Sequence, residues 1–189
     1  MKRQNHIIRL ALLAGVLLLM SGCSSSMMTQ TETQVLDSPD QALVTFIRPS
    51  MFGGAIQFGI WDGDHFIGVL SAKSYVQYLA EPGEHLFLAR AENWSYVKAN
   101  LEAGKEYFII GKVFPGVWKA RVALDPVANG DGTNQADIDR WLTELKPTTV
   151  LPEKYEGYVS PRVAQVKEAA GEVDNGKVKY EVLLKEDGR

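Results

Sequence analysis

From Ala42 to Leu124 short apolar runs alternate with turn residues, and the runs are rich in β-branched and aromatic side chains. Ala42–Arg48 (ALVTFIR) stops at Pro49, which has no N–H to give a ladder. In Ile56–Trp61 the residues Ile56, Phe58 and Ile60 share one face, and Asp62-Gly63 then leads into Phe66–Leu70. That order predicts a hairpin with Gly63 at positive φ. Ser74–Leu79 runs into Glu81-Pro82-Gly83-Glu84, whose Pro and Gly suit the centre of a type II turn. His85–Ala91 follows. In Ser95–Leu101, Tyr96, Lys98 and Asn100 alternate with Val97, Ala99 and Leu101. Ala103-Gly104, Tyr107–Phe114, Pro115-Gly116 and Trp118–Leu124 complete the series. About seven or eight short strands at this spacing predict a mainly β domain over 41–126, an antiparallel β-sandwich. A membrane barrel would need longer alternating segments.

The period changes after Pro126. Asn129–Asn134 reads as loop, and Gln135–Leu145 as helix, with Ile138, Trp141, Leu142 and Leu145 on one stripe and Asn134 as N-cap. Ser160-Pro161 predicts the cap and first position of a second helix, with Val163, Val166, Ala170 and Val173 facing inward. Asn175-Gly176 interrupts it, and Val178, Tyr180, Val182 and Leu184 then alternate as a last strand. Residues 127–189 are thus expected to form a C-terminal extension with one or two helices.

The longest apolar run, Leu10–Met20, lies at the other end, behind Lys2, Arg3, His6 and Arg9. Its eleven residues at about 1.5 Å each fall well short of a hydrocarbon core of roughly 30 Å. A positive start, a short apolar run and small residues before Cys23 predict a cleaved secretory signal peptide over 1–22. Ser21-Gly22-Cys23 resembles the lipobox of bacterial lipoproteins, with Met20 where Leu is usual. The resemblance implies acyl chains on Cys23 as the first mature residue, and the membrane as a partner through that anchor. Cys23 is the chain's one cysteine, so it has no disulfide partner, and acylation would remove a reactive thiol. In Gram-negative lipoproteins a Ser in the position of Ser24 implies the outer membrane, with the domain expected to face the periplasm. Ser24–Asp40 is polar and aperiodic, so 23–40 is expected to be a flexible tether.

Within the body, VTFIRPS (44–50), DGDHFIGVL (62–70), SYVQYLAEPGEHLFLAR (74–90) and LEAGKEYFI (101–109) occur in that order. Together they resemble an uncharacterised family of bacterial lipoprotein domains akin to PEGA-type and carboxypeptidase-regulatory-like β-sandwiches. Its motifs are turn chemistry. The resemblance therefore implies a fold and carries no activity.

Charge narrows the functional classes. Lys2, Arg3 and Arg9 would leave with the signal peptide, taking 20 basic residues to 17 against 23 acidic. A mildly acidic chain without a basic stripe is not expected to bind nucleic acid. Candidate chemistry is thin. His65 and His85, with Asp62 and Asp64 near His65, offer too few ligands for a metal at this spacing. Asn129, Asp131, Thr133 and Asp137 resemble a calcium loop, but Asn134 stands where the turn glycine belongs and Arg140 where the bidentate Glu belongs. Gly53-Gly54 lacks the Lys and following helix of a phosphate loop. No G-x-S-x-G occurs. The expectation is that no cleft joins His65 or His85 to a buried carboxylate, with no metal, no cofactor and no enzymatic activity. Trp61, Trp118 and Trp141 read as core. Trp94, Tyr96 and Tyr107 flank a polar turn and could stack on a sugar or a protein. The sequence thus points to a lipid-anchored interaction or structural module with an envelope protein or glycan as partner. The alternatives are a small-ligand or glycan binder and, behind it, a cryptic hydrolase.

Overall fold

The structure, a computed structural model, describes residues 27–116, 120–130 and 132–189. Cys23, Ser24, the signal peptide, Trp118 and Asp131 lie outside the described residues. Eleven strands among the described residues form two facing sheets. The first takes the order β1 (Met28–Gln30), β10 (Lys146–Val150), β5 (Ser74–Ala80), β2 (Ala42–Arg48), β8 (Glu106–Pro115), β9 (Ala120–Pro126). The second runs β11 (Glu181–Leu183), β7 (Trp94–Leu101), β6 (Gly83–Arg90), β3 (Phe58–Asp62), β4 (His65–Leu70). The β-rich expectation holds, but both the strand count and the all-antiparallel pairing need correction. β2 lies parallel to β8, β10 to β5, and β11 to β7.

The cause lies in the turns. Asp62-Gly63 closes the β3–β4 hairpin as expected, with Asp62 opposite His65 and Gly63 at φ +54°. Pro82-Gly83 and Ala103-Gly104 look equally tight, yet they carry the chain between sheets, from β5 to β6 and from β7 to β8. Parallel neighbours arise from such crossings, which no turn dipeptide announces.

Phe46, Phe58, Ile60, Leu70, Phe87, Val97 and Ile109 meet between the sheets, with Phe46 edge-on to Phe87 at 5.2 Å. Helices then cover both outer faces. α1 (Gln135–Glu144) lays Ile138 on Ile47, Tyr75, Phe108 and Ile110 of the first sheet. Asn134 caps it, its side chain accepting from the Asp137 N–H at 3.0 Å. α3 (Val163–Asp174) buries Val166, Ala169 and Val173 against Trp61, Phe66, Val69, Leu88 and Tyr96 of the second sheet. With both faces covered, β2 is buried along its whole length, which accounts for apolar residues on both of its faces.

Three further elements differ from the sequence reading. Met28–Gln30, inside the expected tether, pairs antiparallel with β10 through main-chain bonds that need no apolar pattern. α2 (Pro152–Val159) was not anticipated. Ser160 ends it with helical φ and ψ, its N–H bonded to the Glu156 carbonyl, so Ser160 cannot start the next helix, and Arg162 caps α3 instead. β11 is out of phase by one residue: Leu183 is buried beside Ala99, leaving Tyr180, Val182 and Leu184 exposed.

The edge of β9 is closed by side chains from the β6–β7 turn and the start of β7. Asn93 accepts from the Val122 N–H at 2.8 Å and donates to the Val122 carbonyl at 2.9 Å, and Ser95 Oγ accepts from the Leu124 N–H. An open strand edge is thereby satisfied without a further strand. No helix among the described residues is long and apolar enough to cross a membrane.

Candidate functional sites

β3 and β6 are neighbours, and their register brings Asp62 level with Phe87. His85, two residues before Phe87, thereby reaches Asp62: Nδ1 lies 2.6 Å from Oδ2, and the side chains are 12% and 13% exposed. Both partners are half-buried, and the contact is a histidine–carboxylate pair that the sequence reading does not foresee. Sequence reasoning missed it because 23 positions separate the partners, and only the β3–β6 register joins them.

The pair is closed rather than poised. His85 Nε2 lies 2.7 Å from the Glu81 carbonyl oxygen, which can only accept, so Nε2 must carry a proton. Nδ1 faces a carboxylate that also accepts from the Tyr78 hydroxyl at 3.2 Å. An imidazolium satisfies both contacts. The Asp62 hydrogen bond accordingly holds the His85 pKa above its ordinary value, against an opposing push from burial. Burial and the Asp62 charge together push Tyr78 up to about 12. With both ring nitrogens donating, His85 has no lone pair to take a proton from a substrate. His65 is exposed and stacks on Tyr78 at 5.6 Å, while Asp64 pairs with Lys167 at 3.0 Å. Among the described residues, no three His, Cys, Asp or Glu side chains gather where they could hold a metal. In the calcium-like segment, the Asn129 N–H donates to Asp187 and Asp137 pairs with Arg140.

A second place draws on Arg48, the last residue of β2, which is 0% exposed. β2 delivers it beneath the loop 49–57, where Nη2 donates to the Phe52 carbonyl at 3.0 Å and the Gly53 carbonyl at 2.8 Å, and Nη1 donates to the Ile56 carbonyl. Its ring contact is Phe58, 5.7 Å from the guanidinium carbon, and Nε has no partner among the described residues. Burial lowers its pKa. Gly53-Gly54 belongs to this loop. Gly53 sits at φ +63°, and a Cβ there would stand 2.8 Å from Val113. At the tip, Met51 and Phe52 are 67% and 57% exposed. The sequence held one hint, an arginine closing an otherwise apolar run.

The aromatic candidates separate. Tyr96 and Tyr107 are buried, and the Tyr107 hydroxyl accepts from the Glu102 N–H and donates to the Lys185 carbonyl. Trp61 is core, and Trp141 lies half-buried on the outer face of the first sheet. Trp94 remains half-exposed, with the Arg90 guanidinium 5.1 Å from its ring centre. It forms one wall of a hollow of about 280 Å³ between β3, β6 and the α2–α3 junction. No protein-family model matches the chain, and no curated protein matches it either.

Proposed function

We propose that the protein is a non-enzymatic interaction module of the bacterial envelope, tethered by acyl chains on Cys23 to the periplasmic face of the outer membrane. Lys2, Arg3, the Leu10–Met20 run, Ser21-Gly22-Cys23 and Ser24 support the address. The observation that carries the interaction reading is the loop held by Arg48. A buried cation without a carboxylate partner among the described residues is costly, and here it fixes three carbonyls of a segment whose Met51 and Phe52 side chains face solvent. The loop PSMFGGAIQ (49–57) contains no charged residue. Rigid backbone beneath exposed Met and Phe suits a protein contact, since the ordering cost of binding is met in advance. The closed His85–Asp62 pair weighs against the hydrolase alternative. Burial of Tyr96 and Tyr107 removes two of the three aromatics on which a sugar-stacking face depended.

Two measurements test this reading. Mass spectrometry of the mature N-terminus should find acylated Cys23, and Ser24→Asp should move the protein to the inner-membrane fraction; an unmodified cysteine overturns the anchor. A photo-crosslinking residue in place of Phe52 in living cells should give a discrete adduct. The same residue at exposed Glu168 should not. Identical patterns from both positions would remove the loop as the contact.

A further inference from the structure

The hollow beside Trp94 has an unusual lining. Gly59, Trp61, Arg90, Trp94, Tyr158 and Arg162 supply its polar and aromatic walls, and among the described residues no Asp or Glu contributes. Arg162 lies 4.0 Å from the centre of the Tyr158 ring and donates through Nη1 to the Tyr158 carbonyl at 2.9 Å. Arg90 stacks on Trp94 and donates through Nη1 to the Gln165 side-chain oxygen. Each guanidinium has five N–H donors, so most remain free. Neither arginine is ion-paired with a carboxylate among the described residues.

The floor also donates. The absence of a side chain at Gly59 leaves space in which the Trp61 Nε1 and Tyr158 hydroxyl converge: a Cβ on residue 59 would stand 3.1 Å from the first and 2.7 Å from the second. Burial raises the Tyr158 pKa while the Arg162 and Arg90 charges pull it down, which places both cations within electrostatic reach of the phenol. Two forked cations, an indole N–H and a phenol O–H thus surround a concave space near the lower end of small-molecule sites. Glu168 and Glu172 face Arg90 only from the adjoining hollow on the α3 side.

We propose that this cleft binds a small oxyanionic ligand, a phosphate ester or a carboxylate, gripped between the guanidiniums of Arg90 and Arg162 over the Gly59 floor. Stacking on rings pre-orients both forks, which suits two-point recognition of such a group. The site is independent of the Met51–Phe52 loop, and either can fail alone.

The experiment follows tryptophan fluorescence of the mature protein in neutral detergent micelles during titration with glycerol 3-phosphate and with citrate. Glycerol is the uncharged control. A second arm dopes the micelles with phosphatidylglycerol or with phosphatidylcholine. Saturable binding of the anions, with Kd of about 0.1–1 mM and no response to glycerol, is expected. Arg90→Ala and Arg162→Ala should each weaken it by about tenfold or more. Arg162→Lys, which keeps the charge and loses the fork, should fall between. A response to phosphatidylglycerol alone would assign the oxyanion to a lipid headgroup. No saturable response to any anionic probe up to about 10 mM overturns the proposal. So does a response that both alanine variants retain in full.

Discussion

Replacing His85 by Gln tests whether the Asp62 pair is a closed ion pair. A raised folded-state pKa gives a definite sign. Below the unfolded value of about 6.5 the imidazole is protonated in both states, and the pair contributes its full stabilisation. As pH rises through the folded pKa the proton leaves and the contribution disappears. A hydrogen bond between charged groups is worth about 1.5–3 kcal/mol, and with both side chains mostly covered little discount for solvent screening is due. Wild-type stability from urea unfolding should therefore exceed that of His85→Gln by about 1.5–3 kcal/mol near pH 6. The two curves should converge as pH rises past the folded pKa. Asp62→Asn should flatten the same pH dependence, since it removes the charge that favours the imidazolium. Parallel pH profiles for wild type and His85→Gln would refute the reasoning. So would an NMR titration that places His85 below about 6.5, because a neutral ring would free one nitrogen for base chemistry.

Two further substitutions probe the backbone. Arg48→Met removes three charge-assisted bonds but also the burden of burying a cation; with three acceptors at 3.0 Å or closer, the bonds should win by about 2 kcal/mol in urea unfolding. The Ile56 amide, bonded to the Gly53 carbonyl at 2.8 Å, should exchange faster, and a variant as stable as the wild type would mean that desolvation outweighs the clamp. Gly63→Val should cost about 1–2 kcal/mol or more from strain at φ +54°, since nothing lies within 4 Å of an added Cβ to clash with it; an unmoved denaturation midpoint would contradict that.

Strands and two of the helices were legible because their signals are local. Asp62-Gly63, the Ile138–Leu145 stripe with its Asn134 cap, and the Val97–Leu101 alternation each depend on neighbours a few residues away, and each appears where expected. Sheet partnership was not legible. The parallel β2–β8 pair spans five intervening strands, and tight turns at Gly83 and Gly104 serve crossings as readily as hairpins. β11 shows a subtler failure. Tyr180, Val182 and Leu184 alternate cleanly, but the single residue between Val182 and Leu184 enters the core, because pairing on the exposed edge of β7 sets the register more firmly than the strand's own pattern.

The sites escaped for a related reason, which the charge balance makes plain. The chain has 23 acidic residues against 20 Lys and Arg, so carboxylates are not scarce. Lys105, Lys112, Arg140 and Lys167 each take one. Among the described residues Arg48, Arg90 and Arg162 take none, and all three instead lie against aromatic rings: Phe58, Trp94 and Tyr158. In an acidic chain, an arginine without an acid reflects where the fold holds it. β2 drives Arg48 under a loop whose carbonyls absorb its donors, so its role ends with the loop's shape. The end of β6 and the cap of α3 bring Arg90 and Arg162 to one cleft, where the rings fix their planes and leave N–H groups unsatisfied. Residues 90 and 162 are 72 positions apart and carry no motif between them. What unites them is the α2–α3 junction over Gly59, where the Tyr158 hydroxyl and the Trp61 Nε1 converge. The same helices that complete the core thereby leave one seam rich in N–H and O–H donors.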